Sequence, residues 1–434
     1  MADRTQISSV AETAPRRRPR NRKAQIAVAA ARAFSERGYH PVGVDEIAAE
    51  LGISGPAIYR HFPNKYALLV AAADAEAAAL SNAVDDVADE SLSPAEQLDA
   101  VIESLVRATI EHRRAGGLYR WERRYLEPAD RARVRETLDH VGRAIADPLS
   151  KLRPTTPADD IAMHASAALS VIGSITAHRT ALAADQLEPL LASMSTAVLG
   201  CELPPAPDAP PPARSGDRGL AVTSRRERVL NEAIKIFAAR GYHEASIEDI
   251  ATAASINASS VYRYFPSKAD LLAAAFYRTA DRVTAALSDA LAESVDAVDA
   301  LRRISQKYLA LAFSGPELLS VYFAEFGNLP AAEQSSLRAI QRQNIEEWVH
   351  LLSELAPGTV SARFRVHAAL GLVLDIGRLI RFDPRPQSQV RVQTLMLHVL
   401  LGDAEIPIEA RSATNTAATN TPATNTTATP KEPA

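Results

Sequence analysis

Two stretches of the chain align without a gap: GYHPVGVDEIAAELGISGPAIYRHFPNKYALL at 38–69 and GYHEASIEDIATAASINASSVYRYFPSKADLL at 241–272. Extending the alignment to 22–72 and 225–275 gives 19 identical residues in 51 positions, where unrelated sequences would share only a few. The repeating unit is therefore about 200 residues long, and a repeat of this length indicates a duplicated domain rather than a solenoid. The 434-residue chain contains two such repeats.

Each repeat begins with a pattern of short helices. Apolar residues recur at helical spacing at Ile26, Ala30 and Phe34, and the second repeat preserves this stripe. A second amphipathic helix follows in both repeats. In the second repeat it opens with Ser246 and Asp249, which have the spacing of a capping box.

A tight turn separates the second helix from the third. Gly52 occupies this turn in the first repeat and Ser255 in the second, and Ser54 and Asn257 are the expected N-caps of the third helix. The residues expected to face inward from the third helix are Ile58, Tyr59 and Phe62 in the first repeat and Val261, Tyr262 and Phe265 in the second. Three short helices with this turn form a helix-turn-helix, which we call the head of each repeat.

The third helix of such a motif enters the major groove of DNA, where small residues permit close approach and Arg can reach a guanine or a phosphate. Lys65 and Lys268, at the start of the fourth helix, are expected to anchor phosphates. The predicted DNA contacts are Ser54, Gly55, Pro56, Ala57, Tyr59, Arg60, His61 and Lys65 in the first head, and Asn257, Ala258, Ser259, Ser260, Tyr262, Arg263, Tyr264 and Lys268 in the second.

A basic run precedes the first head. APRRRPRNRK at 14–23 contains six positive charges and no negative one. A solvated tail is the simpler interpretation, but beside a helix-turn-helix the run suits an arm that contacts the minor groove or the DNA backbone. The predicted contacts of this kind are Arg16, Arg17, Arg18, Arg20 and Arg22, with Arg225 and Arg226 at the start of the second head.

The formal charge of −4 alone would argue against a nucleic-acid partner. The charge is, however, unevenly distributed: residues 1–65 carry +5, residues 218–268 carry +3, and the remainder carries −12. The sequence therefore has two basic heads on acidic bodies.

A proline-rich segment separates the repeats, since 203–213 contains six prolines in eleven residues, which is typical of an extended spacer. The predicted domains are a basic arm (1–19), a first helix-turn-helix head (20–80), a first helical body (81–202), the linker (203–219), a second head (220–283), a second body (284–408) and a disordered tail rich in Thr, Asn and Ala (409–434).

Composition limits the class of protein. The chain is 47% hydrophobic and only 5% aromatic, which together with the periodicity favours an all-α fold. Its single cysteine, Cys201, excludes an intramolecular disulfide and suits a reducing cytoplasm. No apolar run reaches the roughly 18 residues of a membrane span, so no membrane partner is expected. The ten histidines show no metal-ligand spacing and no catalytic motif occurs, so we expect neither an enzyme nor a cofactor.

The segment 44–65 resembles the N-terminal signature of TetR-type transcriptional regulators, with an Ile-Ala helix, a Gly turn, a Tyr-x-x-Phe helix and then Lys-x-x-Leu-Leu. The resemblance covers both heads, whereas the bodies resemble the family only in length and helical character. A chain with two complete repeats is similar to tandem TetR-type repressors of actinobacteria, some of which govern lipid or sterol catabolism. The second repeat departs from the pattern at Ser255, where the turn usually has Gly.

The resemblance implies that each body encloses a ligand pocket. The first body has three aromatic residues, whereas the second repeat has ten from residue 274 onwards, which predicts the larger apolar pocket in the second body. Aromatic residues in helical bodies are also common in cores, and His164, His178 and His367 are expected there. The candidate pocket residues are Tyr119, Trp121, Arg124 and Tyr125 in the first body, and Tyr308, Phe313, Tyr322, Phe323, Phe326, Trp348 and Phe364 in the second.

The resemblance also implies pairing through the last two helices of each repeat. AALSVIGSI at 167–175 and AALGLVLDI at 368–376 are nearly equivalent and rich in small residues, as close helix packing requires. We expect an intramolecular pseudo-dimer; the alternative is that each repeat homodimerises, and further dimerisation stays open.

These observations predict a repressor that binds a double-stranded DNA operator and is released by a small hydrophobic or acyl-type effector. The alternative is a helical ligand-binding or partner-docking protein in which one or both heads no longer bind DNA.

Overall fold

The computed structural model describes residues 22–118, 123–208, 223–355 and 358–402, and for Arg123, Phe323 and Thr359 it describes the backbone only. All regular elements in these ranges are helical, which confirms the all-α prediction. Several predicted features lie outside the described residues: the arm with Arg16, Arg17, Arg18 and Arg20, the residues Tyr119 and Trp121, most of the linker, the tail, and the side chain of Phe323. The described residues, up to Gly402, belong to one compact unit.

The first repeat contributes eight α-helices among the described residues. They are α1 (Arg22–Arg37), α2 (Val44–Glu50), α3 (Gly55–Tyr59), α4 (Lys65–Asp85), α5 (Pro94–Glu111), α6 (Pro128–Leu152), α7 (Ala158–Gly173) and α8 (Ala184–Gly200).

The second repeat contributes nine, again among the described residues. They are α9 (Arg225–Arg240), α10 (Ile247–Ala253), α11 (Ala258–Val261), α12 (Lys268–Glu293), α13 (Ala297–Ser314), α14 (Pro316–Ala324), α15 (Ala331–Leu355), α16 (Thr359–Leu379) and α17 (Pro386–Leu401).

Each head is a three-helix unit closed by the start of the fourth helix. The predicted inward stripe of α1, Ile26, Ala30 and Phe34, is fully buried. The predicted caps Ser54 and Asn257 make no side-chain cap hydrogen bond. The predicted cap at Ser246 forms, since its Oγ accepts the backbone N–H of Asp249 at 3.0 Å, and Asn64 Oδ1 likewise accepts that of Ala67 at 2.8 Å. Local sequence signals therefore set where these helices begin.

Helix α4 joins the first head to its body. By length and composition it could cross a membrane, which corrects the expectation that no segment meets this test. In the structure Leu68, Leu69 and Ala72 of α4 are buried in the core of the first head. The carboxyl of Glu76 is also buried, and burial raises its pKa to about 6 against the opposing effect of His112.

The two repeats contact each other through their last helices. Helix α7 packs against α16 and α8 packs against α17. Ser170 Oγ donates to Asp375 Oδ2 across this contact at 2.7 Å. The guanidinium of Arg391 on α17 is buried, where it forms an ion pair with Asp160 of α7 and donates to the carbonyl of Pro204 at the start of the linker.

The turn between the second and third helices has the same backbone shape in both heads. Gly52 has φ +64°, with open space around the position a Cβ would occupy. Ser255 has φ +55°, a conformation that side-chain-bearing residues rarely adopt. The left-handed conformation costs a non-glycine residue about 1–2 kcal/mol.

We therefore predict that Ser255→Gly slows amide hydrogen exchange in α10 and α11, because it removes backbone strain from the folded head. Gly52→Ser should accelerate exchange in α2 and α3 for the same reason. Exchange followed by mass spectrometry in the full chain checks both changes. Gly142→Ser is the control, since Gly142 also has open space around it but an ordinary φ; equal effects at all three positions would contradict the prediction.

Candidate nucleic-acid interface and ligand cavity

The third helix of the first head presents a small polar surface. Helix α3 begins after Ser54, the predicted N-cap, whose side chain makes no cap hydrogen bond. Pro56 lies in the first turn, where a missing N–H costs nothing. Five of the predicted DNA contacts of this head are exposed, namely Ser54, Pro56, Tyr59, Arg60 and His61.

The predicted inward positions of the two tyrosines are wrong. The side chains of Tyr59 and Tyr262 are 52% and 50% exposed. Ile58 and Phe62 form the buried pair at i, i+4, and Tyr59 lies about 100° around the helix from Ile58. Gly55, predicted to face outward, is buried for the same reason, since it is three residues before Ile58. A Cβ at Gly55 would collide with the carboxylate of Asp45.

The corresponding surface of the second head differs. Helix α11 is a single turn, and Ser259, Tyr262 and Arg263 are exposed on it or just after it. Ala258 and Tyr264, both predicted to face outward, pack partly against the core of this head. The two heads therefore expose different side chains at the same place in the motif.

The two predicted phosphate anchors have intramolecular partners. Lys65 Nζ donates to the carbonyl of His40 at 3.0 Å and lies over the ring of Tyr39 at 4.7 Å. Lys268 Nζ donates to the carbonyls of Tyr242 and Ala245 at 2.8 and 2.9 Å and, more weakly, to a third carbonyl at 3.4 Å. Each lysine thus ties the fourth helix to the loop between the first two helices. Their contact with phosphate stays a prediction.

The starts of α1 and α9 carry equivalent cation–π contacts. Lys23 Nζ lies 5.5 Å from the centre of the Phe62 ring, and the guanidinium of Arg226 lies 4.8 Å from that of Phe265. Arg22 and Arg225 begin these helices. Lys23 and Arg226, in the first turns of α1 and α9, are thereby held against the aromatic ring that follows the third helix of their own head.

Two of the predicted pocket residues lie instead at a junction between the heads. Arg124 forms an ion pair with Glu325 of the second repeat at 2.6 Å, and Glu325 is fully buried. Gly241 has φ +83°, and a Cβ there would approach the hydroxyl of Tyr125 to 2.9 Å. Arg124 and Tyr125 therefore connect the repeats. They line a small pocket of about 120 Å³ at this junction and not the large cavity of the second body, and their contact with a ligand stays a prediction.

The rest of this junction consists of groups that helical periodicity could not identify. Glu325 Oε1 accepts the backbone N–H of Tyr242 at 3.0 Å, and its Oε2 accepts from Asn328 at 2.7 Å. The rings of His40 and His243 lie 4.5 Å apart. Burial and the neighbouring His243 lower the pKa of His40 to about 4.

A cavity of about 1040 Å³ lies in the second body. Four of the predicted pocket residues line it, namely Tyr308, Tyr322, Phe326 and Trp348. Burial raises the pKa of Tyr322 to about 12. Two other predicted residues lie in the surrounding core: Phe313 packs edge-on against Phe382 and Phe364 packs edge-on against His178.

The cavity also has a charged side. Among the described residues that line it, four are arginines (Arg179, Arg338, Arg342 and Arg363) and one is a glutamate, Glu346. Arg363 donates to both carboxylate oxygens of Glu346 at 2.9 and 2.7 Å. The other three arginines leave an excess of positive charge beside the aromatic lining.

The three histidines expected in the core are placed differently from one another. His164 is buried and its Nδ1 lies 2.7 Å from the carbonyl of Val198, as expected. His178 and His367 instead line the cavity, with their rings stacked at 4.1 Å. No cluster of three or more metal-ligating side chains occurs in the described part of the chain.

Comparison with known proteins agrees with the heads. The N-terminal domain described as bacterial regulatory proteins, tetR family, matches residues 26–72 and 229–275. A tetracyclin repressor-like C-terminal domain matches residues 91–178 in the first body. Both heads are therefore N-terminal domains of the TetR family.

Individual TetR-family relatives match parts of the chain. The HTH-type transcriptional activator FasR of Mycolicibacterium smegmatis is 32% identical over 137 residues, which cover 31% of this chain and 62% of FasR. The HTH-type transcriptional repressor LfrR of the same organism is 37% identical over 100 residues, covering 23% and 49% of the two chains. The match thus spans less than two thirds of either relative. The solved structure of the ketosteroid transcriptional regulator KstR2 of Mycobacterium tuberculosis is 21% identical and covers 42% of this chain and 95% of its own, with a TM-score of 0.38.

We predict that the histidine pair makes the stability of the chain depend on pH. Burial, the neighbouring ring and Arg113 lower the pKa of His178 to about 2, and burial with Arg363 and Arg113 lowers that of His367 to about 4. Below the ordinary pKa of 6.5 the unfolded chain binds protons that the folded chain does not. The free energy of unfolding should therefore fall as the pH falls from about 6.5 towards 4.

Urea unfolding at pH 7.0, 6.0 and 5.0 measures this dependence. The double variant His178→Gln, His367→Gln should show a shallower loss of stability with falling pH than the parent chain. His350→Gln is the control, because His350 is exposed. Parallel curves for parent and double variant would show that these rings do not cause the dependence.

Proposed function

We propose that this chain is a sequence-specific DNA-binding transcriptional regulator in which one polypeptide supplies both heads of a pseudo-dimer. The observation that carries the proposal is the presence of two helix-turn-helix heads on bodies that contact each other through α7, α8, α16 and α17. Paired heads can occupy successive major grooves, whose centres lie about 34 Å apart. The basic charge of the heads supports a DNA partner.

The exposed residues of the two heads support non-identical half-sites. Pro56 and His61 are exposed in the first head, where the second has the exposed Ser259 and the partly buried Tyr264. Side chains at these positions contact base edges in helix-turn-helix proteins. An operator for this chain would accordingly lack good dyad symmetry.

The buried ion pair supports pairing within the chain. In the register that pairs Ala167 with Ala368, the residues equivalent to Asp160 and Arg391 are Ser361 and Leu190. A homodimer of either repeat would leave one of these charges facing an uncharged residue. A buried charge without its partner is strongly unfavourable, so this pair favours the contact of the first repeat with the second.

The cavity supports an effector with two chemical parts. Tyr308, Tyr322 and Trp348 offer apolar surface, while Arg338 and Arg342 offer positive charge at the same cavity. A hydrophobic or acyl-type molecule with an acidic group matches this lining. We propose that the protein is a cytoplasmic repressor, because repression requires only that the operator be occupied. Binding of the effector would then release the protein from DNA.

The second head supports a narrower alternative. The ammonium of Lys268 donates to backbone carbonyls and α11 is a single turn. A chain in which this head no longer binds DNA would use it for packing or for docking a partner. The two possibilities differ in how many half-sites the protein requires.

Half-site exchange tests the proposal. An operator selected by the full chain should bind more tightly than either palindrome built from one of its half-sites, because each head then meets its own sequence. Binding is measured by fluorescence anisotropy at 50 and 200 mM salt, where several phosphate contacts should weaken it by orders of magnitude.

Arg60→Ala and Arg263→Ala, matched substitutions in the two heads, should each weaken binding to one half-site only. No effect of Arg263→Ala would favour the alternative with one active head. A palindrome that binds as tightly as the selected operator would overturn the pseudo-dimer.

The buried pair gives a separate prediction. Asp160→Asn should lower the free energy of unfolding by about 3–5 kcal/mol, because it leaves Arg391 buried without its partner charge. The double variant Asp160→Leu, Arg391→Met should recover most of this loss. Urea unfolding measures stability, and Arg363→Met, at a more exposed ion pair, is the control. A loss no larger than that of the control would contradict the role of the buried pair.

A further inference from the structure

The cavity of the second body is not lined by the second repeat alone. Residues 177–180 of the first repeat, which we call the wall segment, also line it. Within this segment the ring of His178 is stacked on His367 at 4.1 Å with 12° between the planes. Nε2 of His178 is buried and has no hydrogen-bond partner among the described residues. A molecule in the cavity would therefore contact both repeats.

Arg113 of the first repeat holds the wall segment in place. Its Nε donates to the carbonyl of Ile175 at 2.8 Å. Its Nη2 donates to the carbonyls of His178 at 3.1 Å and Thr180 at 2.8 Å. Three hydrogen bonds from one guanidinium to this part of the chain mean that the wall segment and Arg113 cannot move independently.

Arg113 belongs to a turn at 112–118 that touches the first head. The next residue, Arg114, donates to Glu36 of α1 at 2.8 Å. A Cβ at Gly117 would come within 2.9 Å of Ser35 Oγ, so the turn and α1 are closely packed here. Ala115 and Leu118 of the same turn are part of the hydrophobic core of the first head.

We propose that a ligand in the cavity of the second body controls the first head, through the wall segment, Arg113 and the 112–118 turn. The inference rests on the proposed function in one respect, namely that the first head contacts DNA. A ligand that moves the wall segment displaces Arg113, and the turn then changes its packing on α1. The first head thereby responds to a ligand bound in the other repeat.

The lining determines which ligand this route serves. The positive side of the cavity includes Arg179 of the wall segment itself, and Nε2 of His178 offers a further polar group. An amphipathic carboxylate that places its acidic group near the wall segment and its apolar part among the aromatic residues contacts both repeats at once. Oleate serves as the probe of this class.

A cavity-filling variant tests the route without depending on the choice of ligand. Leu370 lines the cavity one helical turn after His367, so Leu370→Trp should displace the wall segment as a ligand would. Hydrogen exchange in the full chain should then change in α1 and in the 112–118 turn. Leu379→Trp is the matched control, because Leu379 lies on the same helix and is 45% exposed. If Leu370→Trp does not fold, Leu311→Trp fills the same cavity from α13.

A second variant tests the connecting residue. Arg113→Met removes the three hydrogen bonds, so exchange in α1 should no longer respond to Leu370→Trp. Arg107→Met, an exposed arginine on α5, is the control and should leave the response intact. In DNA binding, Leu370→Trp should change affinity for the first half-site by about tenfold, and Arg113→Met should abolish this difference. Oleate should act on the parent chain in the same direction.

The outcomes separate this inference from the proposed function. If Leu370→Trp changes hydrogen exchange only in α9–α12, the inference is overturned. The proposed function is unaffected by that result, because the chain could still bind DNA. Absence of DNA binding in the parent chain would overturn the proposed function, while the exchange measurements would still decide the route between cavity and head.

Discussion

The packing of α7 against α16 is the contact on which the rest of the arrangement depends. Ala167 and Ala168 of α7 and Ala368 and Ala369 of α16 are buried, and side chains this small allow two helix axes to approach closely. The wall segment follows α7 almost directly, so this packing places it at the cavity of the second body. The same packing fixes the bodies so that Arg124 can reach Glu325 at the junction of the heads.

Regulation by such a protein requires two arrangements of the heads with different affinity for DNA. A ligand that converts a population from 99:1 to 1:99 must supply about 5.5 kcal/mol of differential affinity. The cavity contains a group that can bind a ligand in one arrangement of the repeats and not in the other. The ring of His178 is stacked on that of His367 across the two repeats, and its Nε2 has no hydrogen-bond partner among the described residues. An acidic ligand can contribute charge-assisted contacts there that the unliganded protein lacks.

The heads could be predicted from the sequence in some detail because their signals are local. The cap of Ser246 and the buried stripe of Ile26 and Phe34 follow from spacing within one helix. The orientation of Tyr59 was predicted wrongly because α3 has little more than one turn, which is too short for periodicity to define a face. An aromatic-lined cavity in the second body could be inferred from the aromatic content of that body.

Contacts between the repeats could not be predicted in the same way. Nothing in the segment 177–180 indicates that it would line a cavity in the other repeat, because that depends on how the bodies pack. Arg124 is a candidate pocket residue from the sequence, whereas its guanidinium forms an ion pair with a carboxylate of the chain itself, that of Glu325. Alignment of the repeats identifies equivalent positions, but it does not show which residues of one repeat contact which residues of the other.

The close approach of Tyr125 to Gly241 has a consequence for how such a chain evolves. In a homodimer every substitution occurs twice, so a contact across the interface changes together with its mirror image. In the first repeat the residue equivalent to Gly241 is Gly38. A Cβ at Gly38 would approach only Pro41 of its own loop. A mutation at this junction therefore alters one side of the molecule only. Duplication within one chain thus allows the two repeats to diverge separately.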